Sequence, residues 1–372
     1  MLSFEYIDSD AALNTIVAQY AQSDLLVLDT EFVRTRTYYA NLGLIQAYDG
    51  KTLTLIDPVS INDLSPFWQL LTNPNITKLL HSCSEDLEVF AHYGQCQPTP
   101  LFDSQIAASL CNMGHAVGYA KLVQQCLDVE LDKGESRTDW MKRPLSDAQL
   151  QYAANDVYYL HKLYPQLVKS IEEKGRLAWL LEEGERITEG RLTKADTDKA
   201  YLKVKNAFQL SPRQLACLQV LAKWRMQKAL DKNMALGFIL KDHALIGLAK
   251  KQPKTVSDVM QLVELTDHEK RYHAKEIVKL INSVEFTDLP EPIDVIALKS
   301  GYKSTFKQVK ALLTQVSEQQ NVPLEFIGSK RLIHEFMQWQ YKGKSEQSIP
   351  LLLQGWRGQV VGDVLNNINF TG

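Results

Sequence analysis

The N-terminal part of the chain combines short apolar runs with polar breaks, a pattern that predicts a β-sheet. Asp49-Gly50, which separates two of these runs, predicts a hairpin turn. After the last run, Ser82 and Glu85 have the spacing of a capping box, which predicts a helix through about Tyr93. The runs that predict strands are residues 25–32, 42–50, 52–58 and 76–82.

From there to about residue 190, the apolar positions recur mostly with helical spacing. A capping box at Ser146 and Gln149 predicts a helix that runs through Leu163. Strands followed by a strand–helix alternation predict an α/β or α+β domain with a mixed sheet. The polar and charged segment 186–201 predicts a linker, and no convincing strand pattern follows it.

The residues after the linker predict a repeated helical unit. Residues 211–214 read Ser-Pro-Arg-Gln, which is typical of a helix N-terminus. Residues 233–239 and 321–327 lie 88 positions apart and share four of seven amino acids. We therefore predict two copies of one small all-helical unit, near 203–285 and 290–372.

Composition narrows the classes of protein to which the chain can belong. Its 372 residues are 45% hydrophobic and 23% charged, which is ordinary for a globular protein of two or three domains. No apolar run approaches the ~18 residues that span a bilayer, and the acidic N-terminus does not resemble an export signal. The five cysteines form no Cys-x-x-Cys pair. We therefore expect a cytoplasmic protein with free thiols, without a disulfide framework or a zinc site.

The net charge of −3 hides an asymmetry between the two halves of the chain. Residues 1–200 carry a balance of −11, whereas residues 201–372 carry a balance of +8. A basic half predicts a surface that holds an anionic partner. Charge alone leaves a second interpretation equally open, which is a chance scatter of solvated side chains.

The residues with the clearest chemical meaning are acidic. Asp29 and Glu31 end the first predicted strand, and residues i and i+2 of a strand face the same side, so their carboxylates would converge. Asp86 falls in the first turn of the helix after the fourth strand. Tyr152 and Asp156 lie one turn apart on one helix face. Taken singly, these acids are better explained as a solvated strand end, a helix-dipole acid and a surface charge.

Taken together, the acids predict a metal site. Carboxylates that are held close together repel one another unless a cation neutralises their charge. Ligation by oxygen alone suits Mg²⁺ or Mn²⁺. Two such ions about 4 Å apart can activate a water molecule and stabilise the leaving oxygen of a phosphodiester.

Three segments around these acids resemble the motifs of a known family. LDTEF, HSCSEDLEVF and YAANDVYYL, in this order, are similar to the three motifs of the DEDD 3′–5′ exonucleases. Tyr152, four residues before Asp156, places the chain in the DEDDy branch, because the sister branch has a histidine where this chain has Gln151. The segments EFVRTRTYYANLGLIQ, LFDSQIAA and RTDWMKRPLSDAQLQYAANDV are similar to the bacterial ribonuclease D family.

The helical second half resembles tandem HRDC domains, an arrangement that this family has. Trp224-Arg225 and Phe238 fit the HRDC pattern in the first copy. The usual proline before the phenylalanine is present in the second copy as Pro323, whereas the first copy has Ala235 there.

The resemblance implies a fold and a division of the chain. The fold would be an α/β ribonuclease H-like exonuclease domain, with a mixed five-stranded sheet and helices on both faces, followed by two all-α HRDC-like domains. The expected ranges are 1–200 for the exonuclease domain and 201–288 and 289–372 for the two helical domains.

The resemblance also implies roles for the singled-out residues. Asp29, Glu31 and Asp156 would ligate one divalent cation. Asp29 would also reach a second cation, and Asp86 would help through water. Tyr152 would orient the attacking water or hydroxide, so all five residues would be catalytic.

The loop after Glu31 combines aromatic and basic side chains. We expect Phe32, Arg34 and Tyr38 to bind substrate by stacking on the 3′-terminal nucleotide and by contacting its phosphate. The alternative is a polar connector between two strands.

These expectations combine into one function. The chain would be a metal-dependent 3′–5′ exoribonuclease that trims tRNA precursors and other small structured RNAs and releases 5′-mononucleotides. Its partners would be RNAs with single-stranded 3′ ends, with no membrane and no obligate protein partner implied. One alternative is a 3′–5′ exonuclease that acts on DNA, because no residue can be identified that reads the 2′-hydroxyl. Another is a nucleic-acid-binding scaffold with a vestigial nuclease domain.

Overall fold

The structure is a computed structural model that describes residues 2–132, 134–193, 195–366 and 368. The chain forms two compact units, each made of separate stretches. The first unit comprises Met1–Val33, Asn41–Leu192 and Ile296–Gly372, and the second comprises Arg34–Ala40 and Thr193–Val295. The division into three domains stays a prediction, and the end of the predicted range 289–372 lies outside the described residues.

The first unit is built on one mixed sheet. Its strands are β1 (Glu5–Ile7), β2 (Leu25–Val33), β3 (Asn41–Tyr48), β4 (Leu53–Ile56), β5 (Thr77–Leu80) and β6 (Leu101–Asp103). In the described part of the chain they lie in the order β1-β4-β3-β2-β5-β6. β2 and β4 run antiparallel to β3, while the β1–β4, β2–β5 and β5–β6 pairs are parallel. The hairpin predicted at Asp49-Gly50 joins β3 to β4.

Helices cover both faces of this sheet. The helices that precede the second unit are α1 (Asp10–Tyr20), α2 (Ser65–Leu71), α3 (Ser84–Val89), α4 (Ser104–Leu110), α5 (Tyr119–Leu127), α6 (Asp147–Glu173) and α7 (Leu177–Thr188). Leu53 and Leu55 of β4 pack in one apolar cluster with Val157 of α6. Thr54 between them faces the other way and shares a 2.8 Å hydrogen bond with Tyr20 of α1. The predicted fold class is confirmed.

The sheet has six strands among the described residues, whereas the resemblance implied five. β1 and β6 have three residues each, which is too short for an apolar–polar alternation to show in the sequence. Each is held as an edge strand by parallel pairing, β1 with β4 and β6 with β5.

Local sequence signals predicted one helix start correctly and another wrongly. Ser146 and Gln149 form the predicted capping box of α6. That helix continues past Leu163, through Pro165, to Glu173, because its apolar face stays buried and offsets the hydrogen bond that proline cannot make. The capping box predicted at Ser82 is wrong. Ser82 has a left-handed backbone with a φ of 56°, and α3 begins at Ser84 without a side-chain cap.

The second unit is helical apart from its loops. Its helices are α8 (Pro212–Asp231), α9 (Leu236–Ile239), α10 (Asp242–Lys251), α11 (Val256–Met260) and α12 (Asp267–Asn282). The predicted N-terminus of α8 is confirmed, because the Ser211 hydroxyl accepts a hydrogen bond from the Gln214 backbone N–H. Leu218, Leu245 and Ile277 belong to the apolar core of this unit.

The first unit ends in a second helical segment that repeats the pattern of α8 and α9. Its helices are α13 (Tyr302–Gln320), α14 (Leu324–Ile327), α15 (Lys330–Tyr341) and α16 (Gly355–Asn366). Asn233 after α8 and Asn321 after α13 both have left-handed backbones, with φ of 45° and 49°, and each is followed by a four-residue helix. The predicted repeat is therefore a repeat of structure.

Two further expectations concern cysteines and membranes. All five cysteines are described, and none forms a disulfide. Across the described ranges, no helix combines the length and the apolarity that crossing a membrane requires.

Candidate active site

Three acidic side chains from β2 and α6 meet on one face of the sheet. Asp29 and Glu31 alternate with Thr30 on β2, so they share the face of Val27, against which α6 packs. Asp156 meets them from α6. One carboxylate oxygen from each of the three acids lies within 4.8 Å of the others.

Asp86 joins these acids from α3, the helix that follows β5. It is buried, and its Oδ1 accepts a short hydrogen bond from the Thr30 hydroxyl. It is not among the three acids within 4.8 Å of one another. Burial is the main cause that raises the pKa of Glu31 and of Asp86, but the charge of Asp86 adds to the shift of Glu31, and the charge of Asp29 adds to that of Asp86. Asp86 therefore belongs to the same electrostatic cluster at a greater distance. We call Asp29, Glu31, Asp86 and Asp156 the acidic cluster.

Burial raises the pKa of every carboxyl group in the acidic cluster, and for Asp29, Glu31 and Asp86 the charges of neighbouring carboxylates raise it further. Burial raises the pKa of Asp29 well above its usual range, and the charge of Asp156 raises it further. The same causes, with Asp29 first among the charges, raise the pKa of Glu31 to about 10. Burial raises the pKa of Asp156 to about 8, although a hydrogen bond from Tyr152 opposes the shift. These carboxyl groups are costly to ionise together.

Among the described residues, no cationic side chain pairs with this cluster. None of the ion pairs between described residues involves one of the four carboxyl groups. Three converging oxygen ligands with uncompensated charge match the preference of hard divalent cations. The acidic cluster can therefore hold a divalent metal ion.

Tyr152 lies one helical turn before Asp156 on α6. Its phenol donates a hydrogen bond to the Asp156 carboxylate, and its ring packs 6.1 Å from the ring of the buried Trp140. Burial raises the pKa of Tyr152 above its usual value, and the charge of Asp156 raises it further. At neutral pH this phenol is thus a hydrogen-bond donor.

Residues that the sequence did not single out hold this geometry in place. The Tyr119 hydroxyl donates a 2.6 Å hydrogen bond to the backbone carbonyl of Asp156. This bond fixes the part of α6 that carries the Asp156 carboxylate. Asp103 caps α4 and also accepts hydrogen bonds from the backbone N–H groups of Ser82 and Cys83, which shapes the turn before α3. Of the residues that support the site, Thr30 alone could have been found from a local sequence pattern. It stands between two acids of one strand, so its side chain must point to the opposite face of the sheet.

The three residues predicted to bind substrate fall in different parts of the structure. Phe32 lies on β2 directly after a register shift that separates it from Glu31. Such an irregularity is common beside active sites and turns a side chain from its regular direction. Arg34 and Tyr38 belong to the second unit, where Tyr38 packs against the helical core. Their contact with a substrate stays a prediction.

Comparisons with known families match almost the whole chain. A family model described as 3′–5′ exonuclease matches residues 4–172. Models described as HRDC domain and as Ribonuclease D, C-terminal HRDC domain, match residues 214–281 and 300–365.

Individual relatives match over their full lengths. Ribonuclease D of Shewanella sp. (strain ANA-3) is 63% identical over 366 residues, which cover 98% of this chain and 94% of that protein. Ribonuclease D of Escherichia coli (strain K12) is 39% identical over 370 residues, which cover 99% of this chain and 98% of that protein. The crystal structure of Escherichia coli RNase D, described as an exoribonuclease involved in structured RNA processing, matches this structure with a TM-score of 0.94 over 98% of both chains.

Proposed function

Because the chain belongs to the ribonuclease D family, we propose that its acidic cluster binds two Mg²⁺ or Mn²⁺ ions and that the residues of this cluster and Tyr152 carry out its reaction. The chain is a 3′–5′ exoribonuclease, a hydrolase of phosphodiester bonds at RNA 3′ ends. The proposal concerns the identity of the metal, the role of each residue and the class of RNA.

The acidic cluster divides between the two metal positions. Asp29, Glu31 and Asp156 would hold one ion, because their oxygens already converge. Asp86 would serve the second ion together with Asp29, because it approaches from a different element. When bound, the ions supply positive charge that activates a water molecule and stabilises the leaving oxygen of the phosphodiester.

Tyr152 would position the attacking water. Its raised pKa keeps the phenol protonated at neutral pH, so it is unsuited to act as a general base. Its hydroxyl is already beside Asp156, one of the proposed ligands. A donor held at that place can orient a water molecule towards the terminal phosphodiester, and hydrolysis then releases a 5′-mononucleotide.

One observation carries this proposal, which is the convergence of three carboxylates with raised pKa values and no cationic partner among the described residues. A cluster of this kind costs stability in a metal-free protein, and such perturbed groups mark functional sites. Structural carboxylates that are buried normally have a hydrogen-bonded cation.

The test is cleavage of RNA and DNA of one sequence, each labelled so that release of the 3′-terminal nucleotide is measured. We expect the RNA to be shortened from the 3′ end with Mg²⁺ or Mn²⁺ and to remain intact with a chelator. Preference for DNA, or cleavage that persists in the chelator, would contradict the proposal. Parallel titrations with Mg²⁺ and Mn²⁺ identify the ion that gives the higher turnover.

The proposed substrates are tRNA precursors and other small structured RNAs with single-stranded 3′ ends. Support comes from the relative described as an exoribonuclease involved in structured RNA processing. The test compares a tRNA with a 3′ extension against the same tRNA whose extension is paired to a complementary strand. We expect trimming of the first RNA only, and equal trimming of both would contradict the requirement for a single-stranded end.

A further inference from the structure

Gln46 on β3 carries a buried amide whose polar atoms have no partner in the described part of the chain. The side chain is fully buried, and neither its Oε1 nor its Nε2 makes a hydrogen bond. Gln46 is the one buried side chain among the described residues with two such atoms. Buried polar groups are normally paired, so an amide that is unpaired at both atoms requires a physical explanation.

The strand register places Gln46 beside the acidic cluster. In the antiparallel pair of β2 and β3, Gln46 is the direct partner of Asp29. Residues that are directly opposite in such a pair point to the same face of the sheet, with Cβ atoms about 4.5–5.5 Å apart. Gln46 therefore shares the face on which the carboxylates of Asp29, Glu31 and Asp156 meet.

The other neighbours of Gln46 on this face of the sheet are apolar or already engaged. Leu44 and Tyr48 lie two residues away along β3, and Leu55 lies opposite Gln46 on β4. The Tyr48 hydroxyl donates a 3.1 Å hydrogen bond to a backbone carbonyl of the turn that follows β3. Of these four neighbouring positions in the sheet, Asp29 alone offers the amide a charged acceptor.

The Asp29 carboxylate can accept a further hydrogen bond. Its Oδ1 accepts one of 2.9 Å from the Thr30 backbone N–H. An ionised carboxylate has about four acceptor positions, and a hydrogen bond to a charged group is roughly twice as strong as one between neutral groups. Carboxylates that ligate a metal ion are themselves held by hydrogen bonds from neighbouring groups. A donor beside Asp29 can thus fix the direction of this carboxylate.

We propose that Gln46 is a positioning residue of the active site, whose Nε2 donates a hydrogen bond to the Asp29 carboxylate when the acidic cluster holds its cations. The inference rests on the proposed function, because it takes the acidic cluster as the metal site. Gln46 acts through Asp29 and binds neither the metal nor the RNA. The competing explanation is an amide that serves only the packing of the sheet.

The first test measures the affinity of the full chain for Mn²⁺ by calorimetric titration, after a chelator has stripped the protein and has itself been removed. Gln46→Met keeps an unbranched side chain but lacks both polar atoms of the amide. Loss of a hydrogen bond to a ligating group weakens metal binding by about 10- to 100-fold, which is the effect expected for Gln46→Met and for Gln46→Leu. Both variants are used so that a packing defect in one of them does not decide the result.

The matched control for this test is Thr54→Val. Thr54 is also fully buried in the sheet, but it lies on the opposite face, where its hydroxyl shares a hydrogen bond with Tyr20. Its loss should leave the affinity for Mn²⁺ at the wild-type value.

The second test measures the melting temperature of the same variants in a chelator. Gln46→Met should raise it, because an apolar group replaces an amide that is buried without a partner. Thr54→Val should lower it, because this change removes a hydroxyl that is hydrogen-bonded. A lowered melting temperature in both Gln46 variants would show that the amide supports the core of the sheet and would overturn the inference.

The third test separates turnover from substrate binding. With Mn²⁺ in excess, Gln46→Met should lower kcat for RNA cleavage and leave KM for the RNA unchanged, because the amide orients Asp29 and does not touch the RNA. A raised KM with an unchanged kcat would contradict the positioning role.

The outcomes distinguish this inference from the proposed function. If the wild-type chain binds Mn²⁺ and both Gln46 variants bind it as tightly, the inference is overturned while the proposed function stands. If the wild-type chain binds no divalent cation, the proposed function fails and the inference fails with it. Weaker Mn²⁺ binding in both Gln46 variants, together with a raised melting temperature in the chelator, supports the inference.

Discussion

Two buried carboxylate sites in the first unit show opposite solutions to the same physical problem. Glu183 on α7 is 1% exposed, yet Arg357 and Arg186 donate hydrogen bonds to its two oxygens, and the Trp356 indole N–H adds another at 2.9 Å. Burial by itself would raise the pKa of Glu183, but the charges of the two arginines overcome it and lower that pKa. The acidic cluster has no such partner among the described residues, and its pKa values rise.

The two sites differ in whether the chain supplies the counter-charge of the buried carboxylate. Glu183 and its partners form a complete ion-pair network that links α7 to α16, so its contribution is structural. The acidic cluster has no such counter-charge among the described residues, so its crowded carboxyl groups lower the stability of the chain, and under the proposed function cations that bind there would restore it. Burial alone does not distinguish a structural acid from a catalytic one, whereas the presence of a cationic partner does.

The largest effect should come from removing one ligand of the acidic cluster. Asp29→Asn or Asp156→Asn should reduce cleavage by about 10⁴-fold or more, because each removes charge that holds a cation. RNA binding and folding should remain nearly intact. The measurement is single-turnover cleavage of labelled RNA.

The matched control for this prediction is Asp128→Asn. Asp128 begins another Asp-x-Glu sequence, has a left-handed backbone that asparagine tolerates, and lies outside the acidic cluster. The Asp128→Asn variant should cleave RNA at the wild-type rate. Near wild-type turnover in Asp29→Asn or Asp156→Asn would show that the two-metal assignment is wrong.

At the partnered site, the expected effect is on stability. Glu183→Gln should lower the free energy of unfolding by about 3–5 kcal/mol, because it leaves Arg357 buried without its counter-charge. Urea denaturation measures this change. Glu185→Gln, on the exposed face of the same helix, should leave the stability unchanged. A loss of the same size in both variants would mean that the buried pair has no special role.

Tyr152→Phe should have a smaller effect on turnover than loss of a ligand. The change removes the hydroxyl but keeps the ring that packs near Trp140. Loss of one positioning hydrogen bond should slow cleavage by roughly 10²–10³-fold while metal affinity barely changes. Tyr159→Phe, on the same helix, is the control. A wild-type rate for Tyr152→Phe would reduce Tyr152 to a packing residue, and weakened metal binding would instead assign it a structural role.

The smallest change expected, taken per pH unit, is a difference in pH dependence between the two sites. The pKa of Asp156 rises from 3.8 to about 8 on folding. Metal-free wild type should therefore lose stability relative to Asp156→Asn as pH rises between those values, by at most about 1.4 kcal/mol per pH unit. Glu183 has a lowered pKa, so its contribution is present above its unfolded pKa of 4.5 and is lost as pH falls below it. Unfolding in a chelator at several pH values tests both signs, and slopes of the same sign would contradict the comparison.

The acidic cluster could be predicted from the sequence to the extent that local spacing determines it. Asp29 and Glu31 share a strand face because of the two-residue period, and Tyr152 and Asp156 share a helix face because they are four residues apart. These rules require no knowledge of the tertiary structure. The local pattern also placed Asp86 in the first turn of the helix after the fourth strand, but its position beside Thr30 depends on how α3 packs.

Features that depend on distant residues could not be predicted. Glu183 and Arg357 are 174 positions apart, and nothing in either segment indicates that the other will neutralise it. The failed capping box at Ser82 has the same origin, because Asp103 from a later strand accepts the hydrogen bonds of that turn. Tertiary contacts overrode a local signal in both cases.

The decisive measurement for the acidic cluster as a metal site is proton release when Mn²⁺ or Mg²⁺ binds to the chelator-treated chain at neutral pH. Calorimetric titration in two buffers with different ionisation enthalpies counts the protons. The raised pKa values of the acidic cluster predict that metal binding releases protons, because the carboxyl groups must ionise to become ligands. Asp29→Asn should abolish this release, whereas Glu183→Gln should retain it. Metal binding without proton release, or release that persists in Asp29→Asn, would show that the carboxyl groups of the acidic cluster are not the metal ligands.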